Sequence, residues 1–186
     1  MPQLRTDRFH LRPFAPADVV AFSQAVRESS ATVGRWMNWA HAGYSEREAR
    51  AWFRACRTAR AEGSAYEFGI FSVADGLLVG GAGLNQFNRP NGFCNLGYWV
   101  RASQQRRGAA LAAVQALAPY AFSELQLIRV EIVVAVGNTP SFRLALKAGA
   151  TYEGCARNRL RLHGRLIAAY VFSLVPGDLA TPGARG

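Results

Sequence analysis

Cysteine is scarce in this chain of 186 residues, and its three copies do not pair off. Cys56, Cys94 and Cys155 are odd in number and far apart. That rules against a disulfide framework and suits reduced thiols at core or strand positions of a cytoplasmic protein. The three histidines stand alone and no His/Cys pair has zinc-ligand spacing, so no metal is expected. The N-terminus lacks the apolar stretch of a signal peptide, and no run of about 18 apolar residues predicts a membrane span. Acidic residues are few: 12 Asp and Glu against 22 Lys and Arg leave a formal charge of +10. Such a balance invites nucleic acid as a partner. The arginines are dispersed, however, and form no long block, which favours a basic enzyme with an acidic ligand over a nucleic-acid binder. Repeats and linkers are absent. Half the residues are hydrophobic, which excludes a disordered chain and provides for a substantial core. The expectation is one domain over residues 1–175, with a Pro/Gly-rich, frayed tail over 176–186.

What is present alternates between two periodicities. Phe9–Pro13 alternates as a strand, and Pro16 opens a helical stretch through Val26. Thr32–Tyr44 is aromatic and turn-rich and holds Trp36, Trp39 and His41. Ser45 with Glu48 forms a capping box, after which Ala49, Trp52, Phe53, Cys56 and Ala59 recur at helical spacing. Three turn dipeptides then mark hairpins. Asp75-Gly76 joins Tyr66–Val73 to Leu77–Asn88, and Asn91-Gly92 joins that strand to Phe93–Val100. His163-Gly164 joins a strand ending near Leu162 to Leu166–Leu174. Between the second and third hairpins lie a helix over about Gly108–Leu125, a strand over Ile128–Val136, and a helix from Thr139 to a cap at Gly149. The order β-α-α-β-β-β-α-β-α-β-β predicts an α+β fold: a mostly antiparallel twisted central sheet flanked by helices, with one βαβ crossover.

The chemistry is concentrated where Leu96-Gly97-Tyr98-Trp99-Val100 runs through a polar turn into the crossover helix. Small residues at that helix start leave backbone N–H groups uncovered, and the positive end of the helix dipole adds to them. Arg106 and Arg107 supply charge that fits phosphate. The ligand expected there carries phosphate groups. No Gly-Lys-Ser/Thr follows, so this is not a Walker loop, and a single glycine does not make a Rossmann fingerprint.

The element order with this phosphate site resembles the GNAT acetyltransferases over roughly Leu4–Leu174. The segment Gln105-Arg106-Arg107-Gly108-Ala109-Ala110 matches the family's Gln/Arg-x-x-Gly-x-Gly/Ala pattern. Further pieces sharpen the likeness: Gly97-Tyr98-Trp99, Asn138-x-x-Ser141, Ala148-Gly149-Ala150 with Glu153-Gly154, and Tyr170-Val171-Phe172-Ser173-Leu174. Together with Trp36-Met37-Asn38-Trp39 they are similar to the RimJ/RimL-like branch, which acetylates ribosomal-protein N-termini. The resemblance implies a GNAT fold whose splayed strands hold acetyl-CoA as co-substrate. It places the pyrophosphate on the amides around Arg106–Ala110 and the pantetheine between Gly97–Val100 and Glu131–Ala135. The residues it assigns to acetyl-CoA are Leu96, Tyr98, Trp99, Val100, Gln105, Arg106, Arg107, Gly108, Ala109, Ala110, Asn138, Ser141 and Arg143. It implies that a backbone N–H on the strand of Tyr98 polarises the thioester carbonyl. Asn138 and Ser141 fall near the thiol, and Ser141 is placed to donate to the departing thiolate. Capping of the helix start is the alternative role of Ser141. Tyr152 and Cys155 are weaker donors that suit strand packing.

The chain departs from the branch at three carboxylates, with Asn95, Ala112 and Ala168 where many members carry an acid. Glu67, Glu131 and His41 remain as general-base candidates, although both glutamates can instead pair with arginines and His41 can be a plain loop residue. An α-amine has a pKa of about 7.7–8.0 and a lysine about 10.4, so freeing a lysine amine at neutral pH costs roughly 3.5 kcal/mol more. A site without a strong base therefore favours a peptide or protein N-terminus, gripped by the Trp36–His41 segment, with ribosomal proteins among the implied acceptors. A small-molecule amine, such as a drug or peptide antibiotic, is the alternative acceptor. A non-catalytic acyl-CoA-binding or ribosome-associated module is the alternative class. Arg157, Arg159 and Arg161 alternate, so in a strand they would share one face, suited to phosphate contact or to protecting a sheet edge. No membrane partner is expected, and homodimer formation is left open.

Overall fold

Two short hairpin turns set the register at the centre of the sheet. In the computed structural model, which describes residues 4–179, β3 (Tyr66–Ser72), β4 (Leu78–Asn88) and β5 (Phe93–Val100) form an antiparallel meander. Glu67 lies opposite Gly83, and Asn85 opposite Asn95. The remaining strands are β1 (Leu4–Arg5), β2 (Phe9–Arg12), β6 (Arg129–Ala135), β7 (Thr151–Leu162) and β8 (Arg165–Leu174). They complete an eight-stranded sheet in the order β1-β2-β3-β4-β5-β6-β8-β7. Only β5 and β6 run parallel, as the one crossover requires. Their pairing spans just three positions, from Phe93 opposite Arg129 to Asn95 opposite Glu131. Beyond them the strands part. The backbone groups that β5 turns toward β6 from Leu96 onward therefore meet no strand.

Four helices cover the sheet: α1 (Val19–Glu28), α2 (Glu46–Ala61), α3 (Ala109–Ser123) and α4 (Thr139–Lys147). The α3 sequence AALAAVQALAPYAFS is apolar on nearly every side and is accordingly sunk into the core against Leu84, Leu96, Ile132 and Phe172. The opposite face carries a second apolar cluster, in which Phe22 of α1 and Phe53 of α2 pack with Phe14 and Tyr44. The α2 start is capped by Ser45, whose Oγ accepts from the Glu48 amide while the Glu48 carboxylate accepts from the Ser45 amide.

Several expectations need correction. β1 was not foreseen, because two residues carry no periodicity. Pro16–Asp18 form a 3-10 turn before α1, and α1 runs two residues past Val26. The crossover helix begins at Ala109, with Gly108 as its cap residue. Pro176–Leu179 form a 3-10 turn in which the Asp178 carboxylate accepts from the Val175 amide. The rest of the tail, 180–186, lies outside the described residues. The three arginines of β7 do not share an unbroken face, since β7 bulges between Ala156 and Leu160, with Asn158 at a φ of 53°.

Candidate active site

The β5–α3 turn is built to present uncovered amides. Arg106 has a φ of 61° and Gly108 a φ of 89°, so the chain curls back on itself just before the helix. No side chain caps α3, and its first backbone bond runs from the Ala112 amide to the Gly108 carbonyl. The amides of Gly108, Ala109, Ala110 and Leu111 thus have no backbone acceptor among the described residues. Arg106, Arg107 and Gly108 are exposed around them. Uncovered amides at a helix start are suited to an anion. The turn is held from outside by the end of α1. Glu28 takes the Arg101 guanidinium and, through Oε1, the Ser103 amide at 2.8 Å, and the Ala102 amide donates to Ser29 Oγ at 3.0 Å. Those contacts hold the Glu28 carboxyl down at about 2. Gln105 is exposed on the turn, its Nε2 donating to the Val100 carbonyl at 3.2 Å and to Thr32 Oγ1 at 3.3 Å.

The parting of β5 and β6 leaves a gap whose two faces differ. Toward α3 and α4, Tyr98 Oη and Ser141 Oγ share a hydrogen bond of 2.9 Å. Burial pushes the Tyr98 phenol up to about 12. Asn138, not Ser141, caps α4: its Oδ1 accepts from the Ser141 amide at 3.3 Å. The Ser141 hydroxyl is therefore free of the capping duty weighed for it. Leu96 has its side chain in the core at 1 % exposure, so only its backbone reaches the gap. Arg143 is exposed on α4, with no partner among the described residues.

Toward α1 and α2 lies a cavity of about 260 Å³, walled by Trp39, Tyr44, Trp52 and Trp99 and reaching Glu67, Asn85, Gly97 and Tyr98. The Trp99 indole stacks edge-on against Phe22 and Trp39, which brings the α1–α2 segment to the strand. That segment is latched to the β7–β8 hairpin. Asn38 Nδ2 donates to the Arg161 carbonyl at 3.1 Å, and the His163 amide donates to Asn38 Oδ1 at 2.8 Å.

The three candidate bases part company here. His41 pairs with Glu48 at 3.0 Å on the outer surface and does not line the cavity. Glu131 is tied to Arg129 at 2.9 Å, which also holds Glu153. Glu67 alone of the three reaches the aromatic cavity. Its Oε1 accepts from Asn85 Nδ2 at 3.0 Å, and Asn85 Oδ1 accepts from Asn95 Nδ2 at 3.0 Å. Burial pushes its carboxyl above the ordinary range, against the smaller opposing effects of Asn85 and Arg60. This ladder was not read from the sequence, although the two turn dipeptides that set its register were. Tyr152 is exposed on β7, its ring against Phe142 and Phe172, and Cys155 is exposed beside it. Ala112 packs against the core and Ala168 accepts from the Val136 amide, so neither position offers an acid. Among the described residues no cluster of three or more metal-ligating side chains occurs. No helix there is long and apolar enough to cross a membrane.

The uncapped helix start beside two arginines thus adjoins a gap between parting parallel strands, with a hydroxyl pair at its edge. The chain belongs to the GNAT acetyltransferase family, whose acetyltransferase (GNAT) domain matches residues 8–151, and it is an acetyl-CoA-dependent N-acetyltransferase. YdaF of Bacillus subtilis (strain 168), provisionally named a ribosomal N-acetyltransferase, is 30% identical over 83% of this chain and 84% of its own length. The ribosomal-protein-serine acetyltransferase of Escherichia coli (strain K12) is 26% identical over 82% of this chain and 84% of its own. A Vibrio cholerae structure, provisionally described as a ribosomal-protein-serine acetyltransferase, superposes with a TM-score of 0.83 at 35% identity, covering 94% of this chain and 98% of its own.

Proposed function

We propose that the acceptor is the α-amine of a peptide or protein N-terminus and that ribosomal proteins are among its natural sources. The observation that carries this reading is the aromatic cavity, which opens onto the same stretch of β5, Gly97–Trp99, that borders the gap beyond Asn95. The names of the relatives support the choice of a protein terminus. Coenzyme A lies with its pyrophosphate on the amides of Arg106–Ala110, flanked by Arg106 and Arg107. Gln105 shapes the turn, and Arg143 supplies charge from α4. Pantetheine adds to β5 as an extra strand would, on the unpaired backbone of Leu96–Val100. A β5 amide near Tyr98 polarises the carbonyl as charge develops on its oxygen.

The Tyr98–Ser141 pair receives the departing sulfur. A full proton from a phenol held at about 12 to a thiolate of pKa about 8.5 is uphill by roughly 5 kcal/mol. The pair therefore donates a hydrogen bond, and solvent supplies the proton. The free thiols at Cys56, Cys94 and Cys155 support a cytoplasmic site of action.

The test is acetyl transfer to a peptide panel, followed by thiol release. Free N-termini should be acetylated, with kcat/KM rising to about pH 8 and flattening there, near the α-amine pKa. Blocking the terminus should abolish turnover even with an internal lysine present. Persistent acetylation of the blocked peptide would assign a lysine acceptor. Turnover confined to small amines would make this a small-molecule acetyltransferase.

A further inference from the structure

We propose that Glu67 is the group that takes the proton from the attacking amine, standing on β3 in place of the carboxylate that position 95 lacks. The inference rests on the reading of the aromatic cavity as the acceptor site. Three observations carry it. First, Glu67 is the only carboxylate among the described residues that line the cavity. Second, its position is built into the sheet. A Cβ on Gly83 would collide with Glu67 Oε2, so only glycine at that strand position lets the carboxylate lie over the sheet. Gly83 is in turn paired with Gly97 on β5, one strand spacing from the gap, or about 4.8 Å. Third, Asn85 and Asn95 continue the line from Glu67 toward that gap through two hydrogen bonds of 3.0 Å, and Asn85 donates to one carboxylate oxygen only. Oε2 has no hydrogen-bond partner among the described residues. It is thus available to an amine directly or through one water.

The step balances with water as proton carrier. The neutral amine nitrogen forms the C–N bond to the thioester carbonyl carbon and loses one proton to Glu67. The carbonyl re-forms, the C–S bond breaks, and its electron pair leaves on sulfur. Glu67 returns its proton to solvent and the thiolate takes one from solvent.

The groups facing the carboxylate are few. Asn85 approaches from β4, and Arg60 and Cys56 approach from α2, with Arg60 donating to the Glu67 carbonyl at 2.8 Å. The Cys56 thiol is pushed up to about 12, so it stays neutral at working pH, and Arg60 stays cationic. Because burial raises the folded-state pKa, Glu67 favours the folded state at low pH, and that contribution is lost as pH rises through the raised value. Burial opposes the ionised form, so ionising Glu67 works against the fold. That is expected of a group kept for chemistry rather than for stability.

Glu67→Gln keeps the oxygen that Asn85 bonds, and Glu67→Ala empties the position. Both are assayed with whichever amine the wild type turns over fastest in a panel of peptides and small amines. A failure of the peptide reading therefore leaves this test readable. The expected result for Glu67→Gln is a fall in kcat of at least about 100-fold, the scale of general-base catalysis. The dissociation constant for acetyl-CoA should be unchanged and Tm at pH 7 equal or higher. The acid limb of the wild-type kcat profile, measured at saturating amine, should disappear. Added formate should restore part of the rate to Glu67→Ala. A kcat within threefold of wild type overturns the proposal. So does a loss accompanied by a lower Tm, an unshifted pH profile and no formate rescue, which would make Glu67 a packing residue.

Discussion

Ser141 is the residue at which two roles had to be separated. A serine near a helix start is usually a cap, but here Asn138 accepts from the Ser141 amide, and the Ser141 hydroxyl turns to Tyr98 instead. Removing the hydroxyl should therefore leave the helix intact. Ser141→Ala is expected to lower kcat by about 2- to 10-fold, the worth of one hydrogen bond at 0.5–1.5 kcal/mol, with KM for acetyl-CoA and Tm nearly unchanged. Tyr98→Phe should behave alike. The double variant should fall short of the product of the two, because the hydroxyls act as one unit. Steady-state kinetics beside a thermal melt decide it. A lower Tm with an unchanged kcat would return Ser141 to the helix start.

At the scale of elements, the start of α3 combines strain with open space. A side chain at Gly108 would meet nothing within 4 Å, yet its φ of 89° disfavours any other residue. Gly108→Ala carries only the backbone penalty, about 1–2 kcal/mol of stability. Gly108→Glu adds a like charge on the phosphate path. By titration calorimetry, the glutamate variant should bind acetyl-CoA at least tenfold more weakly than the alanine variant. Equal affinities would move the nucleotide elsewhere. The motif that marks this site was legible in sequence because it is local: six consecutive residues, Gln105–Ala110, carry the turn, the arginines and the glycine. The Glu28 clamp that holds the turn was not legible. Glu28 and Arg101 are 73 residues apart, and nothing in either neighbourhood announces the partner.

For the whole molecule, the two depressed carboxylates that pair with arginines, Glu28 and Glu153, contribute to acid stability. Glu28 is held at about 2 by Arg101 and then Ser103, and Glu153 at about 2 by Arg129 and then Ser173. Both are ionised more readily folded than unfolded. Their stabilisation is therefore complete above the ordinary glutamate pKa and is lost as pH falls from about 4.5 toward 2. The contribution of these two pairs to Tm should be flat above about pH 5 and drop across that window. A Glu28→Gln/Glu153→Gln variant should melt lower at pH 7 and show a shallower acid drop. A variant whose Tm tracks the wild type at every pH would show that neither pair supports the fold.

The order of elements from β2 onward, the three hairpin turns and the helix start with uncovered amides follow from the sequence alone, because each depends on residues adjacent in the chain or repeating at a fixed period. So does the absence of acids at Asn95, Ala112 and Ala168. What only the tertiary structure decided is what replaces them. His41 and Glu131 look as suitable as Glu67 in one dimension. The fold turns His41 outward to Glu48, locks Glu131 to Arg129, and brings Glu67 over Gly83 toward the gap where β5 leaves β6. That gap is itself a tertiary fact. Strand pairing ends at Asn95 not through any change in sequence pattern, but because twisted parallel strands, each paired on its far side with β4 or β8, diverge.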